Sequence, residues 1–182
     1  MVPGYTDFFL ASAGAAAALI GLLFVAVAID PKRTISVEAP IERRAVAGSA
    51  FTALINAFYV SLGGLLPGYN LGGFALAMGI IGVLNTLLLI FRIVYNPKNR
   101  AFLVNGATLI LASLIIYGME CTFAVRLIHH GNDADDVYTL CILLIAIYGV
   151  ALSRAWEVMG AQENGLRGFI ESLRKREPSG KG

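Results

Sequence analysis

The chain has 182 residues, of which 57% are hydrophobic and 14% are charged, and its formal net charge is +2. Soluble domains usually carry about a quarter of their residues as charged side chains, so this composition excludes an ordinary soluble fold. A disordered or nucleic-acid-binding protein would need few apolar residues and clustered charge, so no nucleic-acid partner is expected. The composition predicts a membrane domain whose surroundings are the lipid bilayer.

The first predicted element is a membrane helix over Phe8–Ile29, an uncharged run that is followed by Asp30, Pro31, Lys32 and Arg33. Small residues at Ala26 and Ala28 are also typical of a signal-peptide cleavage site. However, no Lys or Arg precedes the run, and its 22 residues exceed the ~7–15 of a signal core. We therefore predict a helix that is retained in the membrane.

The second and third helices are predicted from one long uncharged stretch, Ala45–Phe91. As a single helix it would extend ~70 Å, more than twice the hydrocarbon thickness, so it must fold back. The sequence LPGYN at Leu66–Asn70 supplies the turn. Helix two is predicted to begin near Pro40, where a first-turn proline is favourable, and helix three to cover about Leu71–Tyr95.

The last two spans follow a second turn sequence at Asn96–Arg100. Helix four is predicted from Ala101 through the uncharged run to Met119 and onward. His129–Asp136, which reads HHGNDADD, is predicted as a polar loop, and Val137–Ser153 as the core of helix five. These five helices make up a predicted transmembrane domain over residues 1–160.

The remaining residues, 161–182, show a different pattern, with Leu166, Phe169, Ile170 and Leu173 at helical spacing. We predict a short cytoplasmic amphipathic helix that lies on the anionic inner leaflet, the alternative being a solvated tail. The predicted fold class is all-α: an integral membrane bundle of five transmembrane helices plus a C-terminal interfacial amphipathic helix.

The distribution of basic residues predicts the orientation of the chain. Arg126 alone falls on one side of the predicted membrane, while the other Lys and Arg residues fall in the first and third connections or after helix five. The positive-inside rule then places the amino terminus outside and the carboxyl terminus in the cytoplasm. The expected location is a bacterial inner membrane.

Polar residues within the spans are the candidate functional side chains, because such residues are costly in lipid. The set is Asn56, Asn85, Asn105, Glu120 and Arg126. Glu120 lies ~30 Å along the helix from Arg100, which predicts headgroup level, where it would pair with Arg126 or form a cation or proton site at the mouth of a pathway. Asn56 is predicted near the bilayer centre, ~18 Å past Arg44. The asparagines are predicted to hold helices together, a pore lining being the alternative.

Helix one carries a pattern of small residues four positions apart, formed by Ala13, Gly14, Ala17, Ala18 and Gly21. Such patterns let helix backbones approach closely in a membrane. The predicted partner is another helix of the same chain, for which Gly63–Gly64 and Gly72–Gly73 offer matching surfaces. The alternative is the equivalent helix of a neighbouring subunit.

No metal site or cofactor is predicted from the cysteines and histidines. Cys121 and Cys141 fall in apolar runs without metal-ligand spacing, and the adjacent His129 and His130 would point apart. The sequence contains no nucleotide-binding, hydrolase or zinc-protease motif, so we expect no enzymatic activity.

The run Asp7–Asp30, DFFLASAGAAAALIGLLFVAVAID, resembles the first span of small bacterial membrane proteins, some of which are labelled modulators of the FtsH protease. The resemblance implies a partner in membrane-protein quality control. We expect a protein that acts through helix–helix association, as a homo-oligomer or as an accessory subunit of a membrane complex. The alternative is a small oligomeric ion channel or transporter, in which Asn56, Asn85 and Glu120 line the path.

Overall fold

The computed structural model describes residues 4–29, 41–95, 100–131 and 133–158, with side chains for all of these except 41–42, 92–95, 100–109 and 157–158. The described residues form five α-helices: α1 (Thr6–Ile29), α2 (Ile41–Leu65), α3 (Leu71–Tyr95), α4 (Arg100–His130) and α5 (Ala134–Val158). Each contains a segment long and apolar enough to cross a membrane. The chain is therefore an all-α multi-pass membrane protein, as predicted, while the amphipathic helix predicted within 161–182 lies outside the described residues.

The predicted turn between the second and third helices is confirmed at Leu66–Asn70. Gly68 has φ +77°, a left-handed conformation that glycine adopts without steric cost. Asn70 then caps α3, because its Oδ1 accepts a hydrogen bond of 2.8 Å from the backbone N–H of Gly72. The Nδ2 of the same side chain donates to the backbone oxygen of Leu127, also at 2.8 Å. Asn70 thus caps the start of α3 and joins it to α4 by a hydrogen bond.

The predicted polar loop His129–Asp136 was too long. Helix α4 continues to His130, Gly131 has φ +77°, and α5 begins at Ala134. Polar side chains at a helix end can extend into water while the backbone remains helical, so polarity alone does not end a helix. The left-handed glycine at the end of α4 is a common helix terminator.

The helices α2 to α5 form a four-helix bundle with α1 on its outside. Helix α2 packs against α3 and α5, and α4 packs against the same two helices, so α2 and α4 lie on a diagonal. Helix α1 packs mainly on α2. The buried positions of α2 include several alanines, which allow close packing: Ala47, Ala50, Ala53 and Ala57.

The two ends of the bundle differ in the connections they carry. The Gly131 end contains the α2–α3 turn and the connection at Gly131, and the Arg100 end contains Arg43, Arg44 and the start of α4 at Arg100. Helix α4 has 31 residues, whereas α3 and α5 have 25 each. At 1.5 Å per residue, α4 is ~46 Å long.

Candidate functional site

A polar pair occupies the diagonal of the bundle. Asn56 of α2 donates a hydrogen bond from Nδ2 to Oε2 of Glu120 on α4, at 2.8 Å. Glu120 is 0% exposed and Asn56 is 1% exposed. The two side chains therefore meet inside the bundle, sealed from lipid by the surrounding helices.

The depth of the pair follows from helix geometry. Asn56 lies nine residues before the end of α2 at Leu65, and Glu120 lies ten residues before the end of α4 at His130. These separations correspond to ~14 and ~15 Å from the Gly131 end, about halfway through a hydrocarbon core ~30 Å thick. The central position predicted for Asn56 agrees with this depth, whereas the headgroup position predicted for Glu120 was wrong. Counting from Arg100 misplaced it, because α4 has 31 residues and is longer than the hydrocarbon core is thick.

Two oxygen atoms of this pair have no hydrogen-bond partner among the described residues. They are Oδ1 of Asn56 and Oε1 of Glu120, and both are buried from solvent. Buried polar atoms in proteins are almost always hydrogen-bonded. The single bond between the two side chains thus leaves one acceptor unsatisfied on each partner.

Close approach of α3 and α4 encloses the pair on one side. Tyr117 precedes Glu120 by one helical turn and is 5% exposed. A Cβ added at Gly82 of α3 would lie 2.6 Å from the Tyr117 ring, and one added at Gly79 would lie 2.8 Å from Cys121 Sγ. Only glycine leaves room for these side chains, so the two glycines let α3 cover this part of α4.

Of the other predicted asparagines, Asn85 also joins two helices. Its Nδ2 donates to Oγ1 of Thr52 at 2.6 Å, connecting α3 to α2 nearer the Arg100 end. Asn105 belongs to α4, but its side chain lies outside the described part of the structure.

Arg126 pairs with an aspartate and not with Glu120, contrary to the predicted pairing. Its guanidinium lies 3.0 Å from Oδ1 of Asp136, whose side chain is 4% exposed, while that of Arg126 is 59% exposed. The guanidinium carbon is also 5.3 Å from the centre of the Phe123 ring. The ion pair joins α4 to α5 at the Gly131 end, one and a half turns from Glu120.

Three polar contacts were not predicted from the sequence. Arg154, which follows the predicted core of helix five, is 5% exposed and donates to Oγ of Ser113 at 2.7 Å. Ser12 of α1 lies 2.7 Å from Ser61 Oγ on α2 and 2.9 Å from the Tyr148 hydroxyl on α5. Hydroxyl groups inside apolar runs were the available signal, but hydropathy does not indicate which helices they join.

The small residues of α1 divide between two faces. Ala13 is buried, whereas Gly14, Ala17, Ala18 and Gly21 are exposed. A Cβ added at Gly14 or Gly21 would meet no atom within 4 Å. The prediction that this whole pattern packs inside the chain was therefore wrong, because α1 meets α2 through Phe9, whose ring fits against Gly64.

Among the described residues, no group of three or more His, Cys, Asp and Glu side chains is placed to hold a metal ion. The polar chemistry of the site therefore comes from the carboxyl group of Glu120 and the amide of Asn56. No protein-family model, curated protein or solved structure matches this chain.

Proposed function

We propose that this membrane protein has no enzymatic activity and acts through helix–helix association, forming a homo-oligomer by contact between the α1 helices of two copies. The observation that carries the proposal is the exposed small-residue face of α1, defined as Gly14, Ala17, Ala18 and Gly21. This face points away from the bundle and leaves its glycines uncovered. Association of membrane helices is driven by close packing of such residues, because lipid supplies no hydrophobic force between helices.

The shape of this face suits a second copy of the same helix. Leu10 and Val25 are exposed at its two ends, 62% and 58% respectively, and each lies four residues from a glycine of the face. The face is thus a shallow notch between larger side chains. Two identical notches can cross at their small residues, and a contact between the same patch on both copies is the usual form of a twofold interface.

We also propose that the Arg100 end faces the cytoplasm of a bacterial inner membrane. The support is that all Lys and Arg residues except Arg126 fall in the first or third predicted connection or after helix five, on the same side of the predicted membrane. Under this orientation α1 runs from the outside to the inside, and two copies inserted in the same direction would cross through a parallel α1 contact.

The test of association is the fraction of dimer in lipid nanodiscs or vesicles as the protein-to-lipid ratio is varied. Donor and acceptor dyes on separate copies report association by energy transfer. Replacing Ala17 and Gly21 with leucine should weaken association by about tenfold or more, which corresponds to about 1.4 kcal/mol. The matched control combines Gly73→Leu with Ala77→Leu, which adds the same bulk at two exposed positions of α3 and should leave association unchanged.

Two results would change this proposal. Equal energy transfer in the leucine variant and the wild-type protein would exclude the α1 face as the contact. Extraction with mild detergent as a mixed complex, released by the same substitutions, would favour an accessory subunit. The resemblance in α1 makes a quality-control protease complex the partner to seek in that case.

A small channel or transporter is the second candidate, and the buried Asn56–Glu120 pair favours it. Ionisable side chains deep in a membrane commonly mark ion or proton pathways. In the described structure both side chains are sealed, so a pathway would need the bundle to open. Ion or proton flux into liposomes that is lost in Glu120→Gln but not in Asp7→Asn, which changes an exposed carboxyl group at the start of α1, would favour this function over association alone.

A further inference from the structure

We propose that Asn56 and Glu120 form a binding site for one proton, held as a cyclic carboxylic acid–amide pair. In this pair the Asn56 amide donates to Oε2 of Glu120, and a hydroxyl on Oε1 of Glu120 donates back to Oδ1 of Asn56. This inference goes beyond the proposed association and does not depend on it, because the pair lies inside one chain.

The hydrogen-bond inventory of the two side chains carries the inference. The Nδ2 donor of Asn56 is used at 2.8 Å by Oε2, and the atoms left over are Asn56 Oδ1 and Glu120 Oε1. Both are acceptors when the carboxyl group is ionised, so they cannot satisfy each other. One added proton turns Oε1 into a donor and satisfies both orphaned atoms at once.

The surroundings also favour a neutral carboxyl group. An isolated carboxylate is strongly disfavoured in an apolar interior and takes up a proton instead. Among the described residues, Glu120 has no ion-pair partner, since Arg126 pairs with Asp136. The 0% exposure of Glu120 leaves no contact with solvent that would stabilise a charge.

The charged and titratable groups near Glu120 differ from helix to helix. On α4, Tyr117 and Cys121 lie close enough to interact electrostatically with Glu120, and neither is a cation. The α3 span Leu71–Phe91 contains no titratable residue. On α2, the titratable residues are Tyr59, which is exposed, and Glu42, Arg43 and Arg44 at the Arg100 end. On α5, Arg154 bonds to Ser113 and acts electrostatically on Tyr117.

A metal cation fits these atoms less well than a proton does. Hard cations such as Ca²⁺ and Mg²⁺ take about six or more oxygen ligands, whereas this pair offers two orphaned oxygens. A proton needs only one donor atom and one acceptor. The ligand count therefore selects the proton.

The experiment is infrared spectroscopy of the full-length protein in lipid at neutral pH. A protonated carboxyl group has a carbonyl stretch above the amide band, which a carboxylate lacks and which shifts to lower frequency in D₂O. The wild-type minus Glu120→Gln difference spectrum should contain this band. The matched control, Asp7→Asn, changes an exposed carboxyl group at the start of α1 and should remove no such band.

A second variant keeps the proposal testable if Glu120→Gln does not fold. Asn56→Ala leaves the carboxyl group in place but removes its amide partner, so the band should persist and move to higher frequency. Carboxylate bands in the Glu120→Gln difference spectrum, or an unmoved acid band in Asn56→Ala, would overturn the proposal. Neither infrared readout requires transport or association. Failure of this proposal can therefore be told apart from failure of the proposed association or of the channel alternative.

Discussion

Asn56 and Glu120, 64 positions apart in the chain, join the two diagonal helices of the bundle through a hydrogen bond of 2.8 Å. Because neighbouring helices separate α2 from α4, packing between adjacent helices does not set the spacing of these two. The hydrogen bond between Asn56 and Glu120 sets it.

A double-mutant cycle should show strong coupling between the two side chains. Asn56→Leu or Glu120→Met alone leaves a buried polar group without its partner, and each should lower the free energy of unfolding by about 1–3 kcal/mol. The double variant replaces both with apolar groups and should lie within about 1 kcal/mol of the wild type. Reversible unfolding in mixed micelles measures these changes. The control combination is Glu120→Met with Asn85→Leu, whose effects should add because Asn85 bonds to Thr52. Additive losses in the Asn56 double variant would contradict the coupling.

Adjacent glycines at the start of α3 should respond differently to the same substitution. A Cβ at Gly72 would lie 2.5 Å from the backbone oxygen of Ala124, whereas one at Gly73 would meet nothing within 4 Å. Backbone atoms cannot move aside cheaply, so Gly72→Ala should lower the free energy of unfolding by about 1–3 kcal/mol. Gly73→Ala should change it by less than about 1 kcal/mol. The two variants can be compared by the same unfolding measurement, and equal effects would argue against this close contact of α3 with α4.

Removing Arg126 and removing Asp136 from their ion pair should lower the free energy of unfolding by different amounts. Asp136 is buried, so Arg126→Ala leaves a buried carboxylate without its cation and should lower the free energy of unfolding by about 1–3 kcal/mol. Asp136→Ala leaves an exposed arginine that water can solvate, and it should cost less than about 1 kcal/mol. Arg126→Lys, which keeps the positive charge, should recover part of the loss. A larger loss for Asp136→Ala than for Arg126→Ala would contradict the burial of the aspartate.

The helices and their order could be predicted from the sequence because two signals agree along most of the chain. Uncharged runs identify the spans, and the Pro-Gly-Tyr-Asn sequence after Leu66 identifies the turn that the structure contains. The predicted loop at His129–Asp136 was too long because hydropathy reports where polar residues occur, while the end of α4 depends on the backbone conformation of Gly131.

The site was only partly predictable. Asn56 was placed correctly because α2 begins close to the level at which its apolar span starts. The same count failed for Glu120, because α4 has 31 residues, more than the ~20 that cross the hydrocarbon core. Which polar side chains meet depends on the arrangement of helices around the bundle. The spacing of residues along the sequence does not indicate that α2 and α4 lie diagonally opposite each other. The small-residue pattern of α1 indicated a packing helix, but the face that α1 turns toward α2 is set by Phe9 and Ser12.

The length of α4 has a consequence for the lipids around this protein. At ~46 Å, its 31 residues exceed the hydrocarbon core by ~16 Å. The first turns of α4 at the Arg100 end then lie at the edge of the acyl chains, where bilayer thickness decides whether this end of the helix meets lipid tails or headgroups. Lipid chain length should therefore act on this fold at the Arg100 end.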